Sequence, residues 1–140
     1  MKRTVFVLAL LAVVLMTAGC SKKAPQTAVL KVASNPTTGY EWTYTQDPEI
    51  FTITSEYAEN GNADGAVGVG GTVTYTLIPI KKGTSDVTFT YARSWEEEAD
   101  TTLSYTLKVN SNMQIEVESF RGAGGTDIDT LPDMPQFEIR

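Results

Sequence analysis

The sequence predicts an all-β domain, two antiparallel sheets facing each other, and three observations carry that expectation. Apolar and polar residues alternate with period two from Ala28 onward, most cleanly over Thr102–Val109, so every second side chain faces the same side of a sheet. Beyond residue 20 no segment keeps helical apolar spacing for three turns. Tight turns and longer connections rich in glycine and proline follow one another alternately along the chain. A length of 140 residues suits one such domain.

The N-terminus stands apart from that domain. Lys2 and Arg3 precede an unbroken apolar run, Val5–Met16, and Thr17-Ala18-Gly19 brings small residues up to Cys20. The run is too short for a membrane-spanning helix, which needs about 20 residues, and suits the h-region of a signal peptide. Residues 1–19 are therefore expected to leave as a lipoprotein signal peptide. The cysteine directly after Ala-Gly resembles a bacterial or archaeal lipobox, which implies cleavage before Cys20 and lipidation of its thiol. Residues 20–27 then form a polar, lipid-anchored tether. The mature protein is expected outside the cytoplasm, held on the cell membrane or an outer membrane. Cys20 is the sole cysteine, so no intramolecular disulfide can form and stability must come from the core.

Within the domain, residues 28–118, strands are expected at Ala28–Ser34, Glu41–Thr45, Ile50–Glu56, Thr72–Ile80, Ser85–Tyr91 and Thr101–Val109, with Met113–Glu118 a seventh. Val73, Tyr75 and Leu77 share one face of the fourth, and threonines fill outward positions, where a β-branched polar side chain suits a half-wet sheet. Gln46-Asp47-Pro48-Glu49 and Lys81-Lys82-Gly83-Thr84 are tight turns, Pro48 and Gly83 supplying the dihedrals. Between them lie three richer connections, Asn35–Tyr40, Tyr57–Gly71 and Ala92–Asp100. From each of these to the next the chain runs out along one strand and back along another. All three loops are therefore expected at one end, as immunoglobulin-like sandwiches gather their recognition loops.

Loop one reads Asn35-Pro36-Thr37-Thr38-Gly39-Tyr40, with Trp42 shortly after; loop two closes with Gly68-Val69-Gly70-Gly71; loop three holds Arg93-Ser94-Trp95. Each alone also reads as an ordinary turn, a flexible glycine loop or a core tryptophan, and only the conjunction decides. In this order and spacing the three resemble the chagasin family of cysteine protease inhibitors, over about residues 28 to 109. The resemblance implies a monomeric, reversible, non-covalent inhibitor of papain-like cysteine proteases. It implies that Gly68, Val69, Gly70 and Gly71 enter the active-site cleft, while Asn35, Pro36, Thr37, Thr38, Gly39 and Tyr40 grip one side and Arg93 and Trp95 the other. A segment entering a narrow cleft needs little side-chain bulk, which glycine provides. Ser94 stands where the family usually has proline. The family also usually has a strand before the one leading into loop one; here only the tether precedes Ala28, so Met113–Glu118 is expected to cover that edge.

Ser119–Arg140 reads as an acidic, flexible tail, and its Gly122-Ala123-Gly124-Gly125 as a chance echo of loop two. The absence of histidine excludes Ser-His-Asp and Cys-His catalysis and removes the usual zinc ligand. There is no phosphate-binding or dinucleotide fingerprint. Glu96-Glu97-Glu98 cannot all face one pocket and reads as the solvated edge of loop three. No catalytic residue, metal or cofactor is expected, and the chain reads as a binding protein rather than an enzyme. The net charge is −6, and −8 once Lys2 and Arg3 leave, nine basic against 17 acidic residues. That balance argues against nucleic acid and against general adhesion to anionic lipid. The competing expectation is an adhesive or structural immunoglobulin-like surface lipoprotein that binds another ligand.

Overall fold

The computed structural model describes residues 23–61, 69–124 and 135–140. The signal peptide, Cys20 and Gly68 lie outside the described residues. Among the described residues eight strands form: β1 (Ala28–Ser34), β2 (Tyr40–Asp47), β3 (Phe51–Glu59), β4 (Gly71–Pro79), β5 (Gly83–Arg93), β6 (Thr101–Val109), β7 (Ile115–Gly124) and β8 (Glu138–Ile139). A one-turn 3-10 helix, Pro36–Thr38, stands between β1 and β2. One sheet has the order β3-β4-β1-β8 and the other β2-β5-β6-β7, with every pairing antiparallel. The two face each other as an immunoglobulin-like sandwich.

Alternation builds the core directly. Leu30 and Val32 of β1 and Tyr75 and Leu77 of β4 are buried in one cluster with Val87 and Phe89 of β5 and Leu103, Tyr105 and Leu107 of β6. Burying each such side chain stabilises the fold by about 1.5–3 kcal/mol. Phe89 sits between the sheets, its ring centroid 4.8 Å from that of Tyr75 and 6.1 Å from that of Tyr105. The buried phenols find acceptors: Tyr75 donates to the Trp42 carbonyl at 3.2 Å and Tyr105 to the Pro135 carbonyl.

Several strands run further than alternation alone predicts, because their partners keep pairing. β2 and β5 pair from Asp47↔Asp86 to Tyr40↔Arg93, and β3 follows β4 to Glu59↔Gly71. Tyr40, Gly71 and Arg93 are thus the last rungs of ladders rather than loop residues. The edge assignment of Met113–Glu118 needs correction. Ile115–Glu118 open β7, which pairs with β6 in the opposite sheet, as in Val109↔Ile115. The cause is the tight turn after β6, where the Asn110 Oδ1 accepts the N–H groups of Asn112 (2.9 Å) and Gln114 (3.0 Å) and returns the chain beside the strand it left.

The start of the β1 edge is covered instead by β8. Ala28 pairs with Ile139 and Val29 with Glu138, and Thr27 and Arg140 exchange two backbone hydrogen bonds of 2.9 Å. Of Ser119–Arg140, read from the sequence as a tail, residues 119–124 and Glu138–Ile139 therefore lie in strands. Residues 119–124 continue β7, so Gly122, Ala123 and Gly124 of the apparent glycine echo pair with Leu103, Thr102 and Thr101. Asp127, Asp129 and Asp133 lie outside the described residues.

Candidate functional site

Loop one is held by its own hydrogen bonds. Pro36 opens the 3-10 turn with its φ already set, and the Thr38 N–H donates to the Asn35 carbonyl and the Gly39 N–H to the Pro36 carbonyl, both at 3.1 Å. The Thr37 and Thr38 hydroxyls donate back to the Asn35 Oδ1 and carbonyl, each at 2.6 Å. Gly39 ends the turn at φ 81°, the left-handed region that glycine enters without steric cost. Pro36, Thr37 and Thr38 are left exposed at the tip.

An aromatic column fastens this loop to loop three. In the β2–β5 ladder Trp42 lies opposite Tyr91, and Tyr40 opposite Arg93. Tyr91 stacks on Trp42 at 4.9 Å and on Tyr40 at 5.0 Å, with interplanar angles of 27° and 23°. The Arg93 guanidinium caps the column 4.2 Å from the Tyr40 centroid and lies 5.9 Å from that of Trp95. Stacked aromatic pairs contribute about 0.5–1.5 kcal/mol each beyond burial, and an exposed cation–π contact about 0.5–1 kcal/mol. Arg93 also donates from Nε to the Thr38 carbonyl and from Nη1 to Glu96, both at 3.0 Å. The Arg93–Glu96 pair is about a third exposed and adds at most about 1 kcal/mol, so its part is geometric. The Tyr91 hydroxyl accepts the Asn35 N–H at 3.0 Å, and the Trp42 Nε1 donates to the Ala33 carbonyl at 2.9 Å. The column therefore holds the end of β1, loop one and loop three together.

Two close approaches complete the site. The Trp95 indole lies on Gly39 so tightly that a Cβ at residue 39 would run into it. Trp95 itself is 69% exposed. Loop two closes where the Asn60 N–H donates to the Gly70 carbonyl at 3.1 Å. A Cβ on Gly70 would stand 3.1 Å from the Ser34 carbonyl and beside Asn35, and one on Gly71 would meet the Ala58 carbonyl and the Tyr57 ring. Glycine lets loop two nestle against the root of loop one.

Asn35, Pro36, Thr37, Thr38, Gly39, Tyr40, Gly70, Gly71, Arg93 and Trp95 thus meet at one end of the sandwich, with Val69 next in chain to Gly70. The tight turns occupy the opposite end. Sequence reasoning did not single out Tyr91 or Glu96. Tyr91 carried a readable signal, since it stands two residues before Arg93 on one strand face, as Tyr40 stands before Trp42. Which strand lies beside which was not readable. Glu97 and Glu98 are exposed, as a solvated edge would be, whereas Glu96 pairs with Arg93.

Comparison with known proteins finds one family model and related inhibitors. A family model described as Chagasin family peptidase inhibitor I42 matches residues 22–109. Amoebiasin-2 of Entamoeba histolytica is 27% identical over 81 residues, 57% of this chain. The match spans 66% of that relative, just under two thirds of its length. The crystal structure of the cysteine protease inhibitor EhICP2 from Entamoeba histolytica superposes with a TM-score of 0.54 at 25% identity, covering 60% of this chain and 78% of its own.

Proposed function

The chain belongs to the chagasin family of peptidase inhibitors, and on that premise we propose that it inhibits papain-like cysteine proteases by lodging three loop tips across the active-site cleft. Gly68, Val69, Gly70 and Gly71 enter beside the enzyme's catalytic cysteine, while Asn35–Tyr40 press on one wall and Arg93 and Trp95 on the other. The observation that carries this reading is the meeting of the loops in one edge, Trp95 on Gly39 and Gly70 against Ser34 and Asn35. An edge already braced by the Trp42–Tyr91–Tyr40–Arg93 column loses little conformational freedom on binding. Tryptophan and arginine are among the side chains most often found as interface hot spots. Inhibition is reversible occlusion by a single chain, with no covalent bond to the enzyme.

The Lys2-Arg3, Val5–Met16 and Ala18-Gly19-Cys20 sequence supports a further part of the reading. Cys20 carries lipid, and the inhibitor works from a membrane surface outside the cytoplasm.

The direct test is a titration of papain with the chain starting at Ser21, read by hydrolysis of a fluorogenic peptide. Hydrolysis is expected to fall at sub-micromolar inhibitor and to recover on dilution. Full hydrolysis at micromolar inhibitor would refute the proposal and favour the adhesive alternative.

A further inference from the structure

The strand ladders assign a direction to the molecule. β1 starts at Ala28 opposite Leu77, near the end of β4, and finishes at Ser34 opposite Gly71, where the three loops gather. The chain therefore enters the fold at the pole opposite the candidate site. It is pinned there: the Gln26 N–H donates to the Met113 carbonyl at 3.0 Å, and the Gln26 Oε1 accepts the Ile115 N–H at 2.9 Å. Only the residues between Cys20 and Gln26 remain as tether, an extended reach of roughly 20 Å. The eleven residues of β5 run about 35 Å from pole to pole. A tether of that length keeps the entry pole near its anchor, but by itself it lets the domain tip over.

The entry pole carries a second feature. Where the chain crosses from β4 to β5 in the other sheet, Ile78 and Ile80 are 45% and 56% exposed and are followed by exposed Lys81 and Lys82. Exposed isoleucines scattered on a surface are ordinary; these two stand beside two lysines on the pole where the chain enters. Asp47, Glu49 and Asp86 flank that connection, Glu116 and Glu118 lie beside Lys108 on the β6–β7 ladder, and Glu138, on β8 beside the start of β1, is paired with Arg140. The loop end is far more acidic, with Glu41, Glu56, Glu59, Glu96–Glu98 and Asp100 set against Arg93. Net negative charge argues against adhesion of the whole chain to anionic lipid, yet among the described residues the acidic excess is larger at the far pole.

We infer that the β4–β5 connection, which carries the chain from one sheet to the other, is a membrane-contacting surface: Ile80 enters the headgroup boundary, Lys81 and Lys82 lie against lipid phosphates, and the loops point away from the bilayer. This rests on the proposed lipid at Cys20. Repulsion between the acidic loop end and an anionic surface works in the same direction.

The test uses the full chain made in a lipoprotein-processing bacterium and purified from its membranes, with the mass of the Cys20 peptide measured first. The protein is reconstituted in vesicles of phosphatidylglycerol and brominated phosphatidylcholine, with unbrominated vesicles as reference. In the parent, emission from Trp42 and Trp95 is expected to survive bromination; in Ile80→Trp the added emission is expected to be lost. Adding Lys81→Gln and Lys82→Gln to that variant is expected to restore part of it. Added emission that survives, or parent emission quenched equally, overturns the inference while leaving the anchor intact. A Cys20 peptide without lipid overturns both.

Discussion

Trp95 does little for the fold and a great deal for the shape of the edge. Its indole is mostly solvated, and its chief neighbours are Gly39, which has no side chain to oppose it, and the Arg93 guanidinium. Removing the ring therefore uncovers almost no core. Trp95→Ala is expected to leave the urea unfolding midpoint unchanged and to weaken papain inhibition about tenfold or more, a loss of ~1.4 kcal/mol. Equal potency in the variant would take Trp95 out of the interface. Arg93 works differently, since its contacts with Thr38, Glu96 and Tyr40 make it a brace between loops one and three. Its position was legible in the motif; its brace role was not, because that depends on Tyr40 lying opposite it in the ladder.

At the level of elements, β7 and β8 lie beyond residues 22–109, where the family likeness ends. β8 is two residues long, yet it brings Phe137 and Ile139 onto the core and covers the first two residues of the β1 edge. Phe137 meets Tyr105 edge-on at 4.7 Å. Ending the chain at Gln136 removes both side chains and the Thr27–Arg140 hydrogen bonds. That truncation is expected to cost about 2–4 kcal/mol of stability, read as a lower urea midpoint. Inhibition at low temperature should persist, because the loops lie at the other pole. An unchanged midpoint would mean that β8 contributes nothing to the fold.

For the whole molecule, the buried tyrosines set an alkaline limit. Burial pushes the Tyr105 hydroxyl far above its usual range, and burial, then Tyr44 and then Glu41, raise that of Tyr75. Both hold their protons more firmly folded than unfolded. Their contribution is therefore complete below the ordinary tyrosine value of 10.0 and declines as pH rises above it. The urea midpoint is expected to fall steeply above that pH, and Tyr105→Phe is expected to lessen the slope there. A midpoint that stays level well above the tyrosine range would refute this.

By itself the sequence determined the class of fold, the buried face of the cleanly alternating strands β4, β5 and β6, and the end at which the three loops emerge. Period two and the spacing of turns are local properties, and each out-and-back passage preserves direction whichever strands become neighbours. Only the tertiary structure decided that Met113–Glu118 leads a strand beside β6, that the C-terminus returns to β1, and that Tyr91 joins Trp42, Tyr40 and Arg93 in one column. Alternation tells a strand which face to bury but not which neighbour to bond. That choice is made by register and core contacts between residues far apart in the chain.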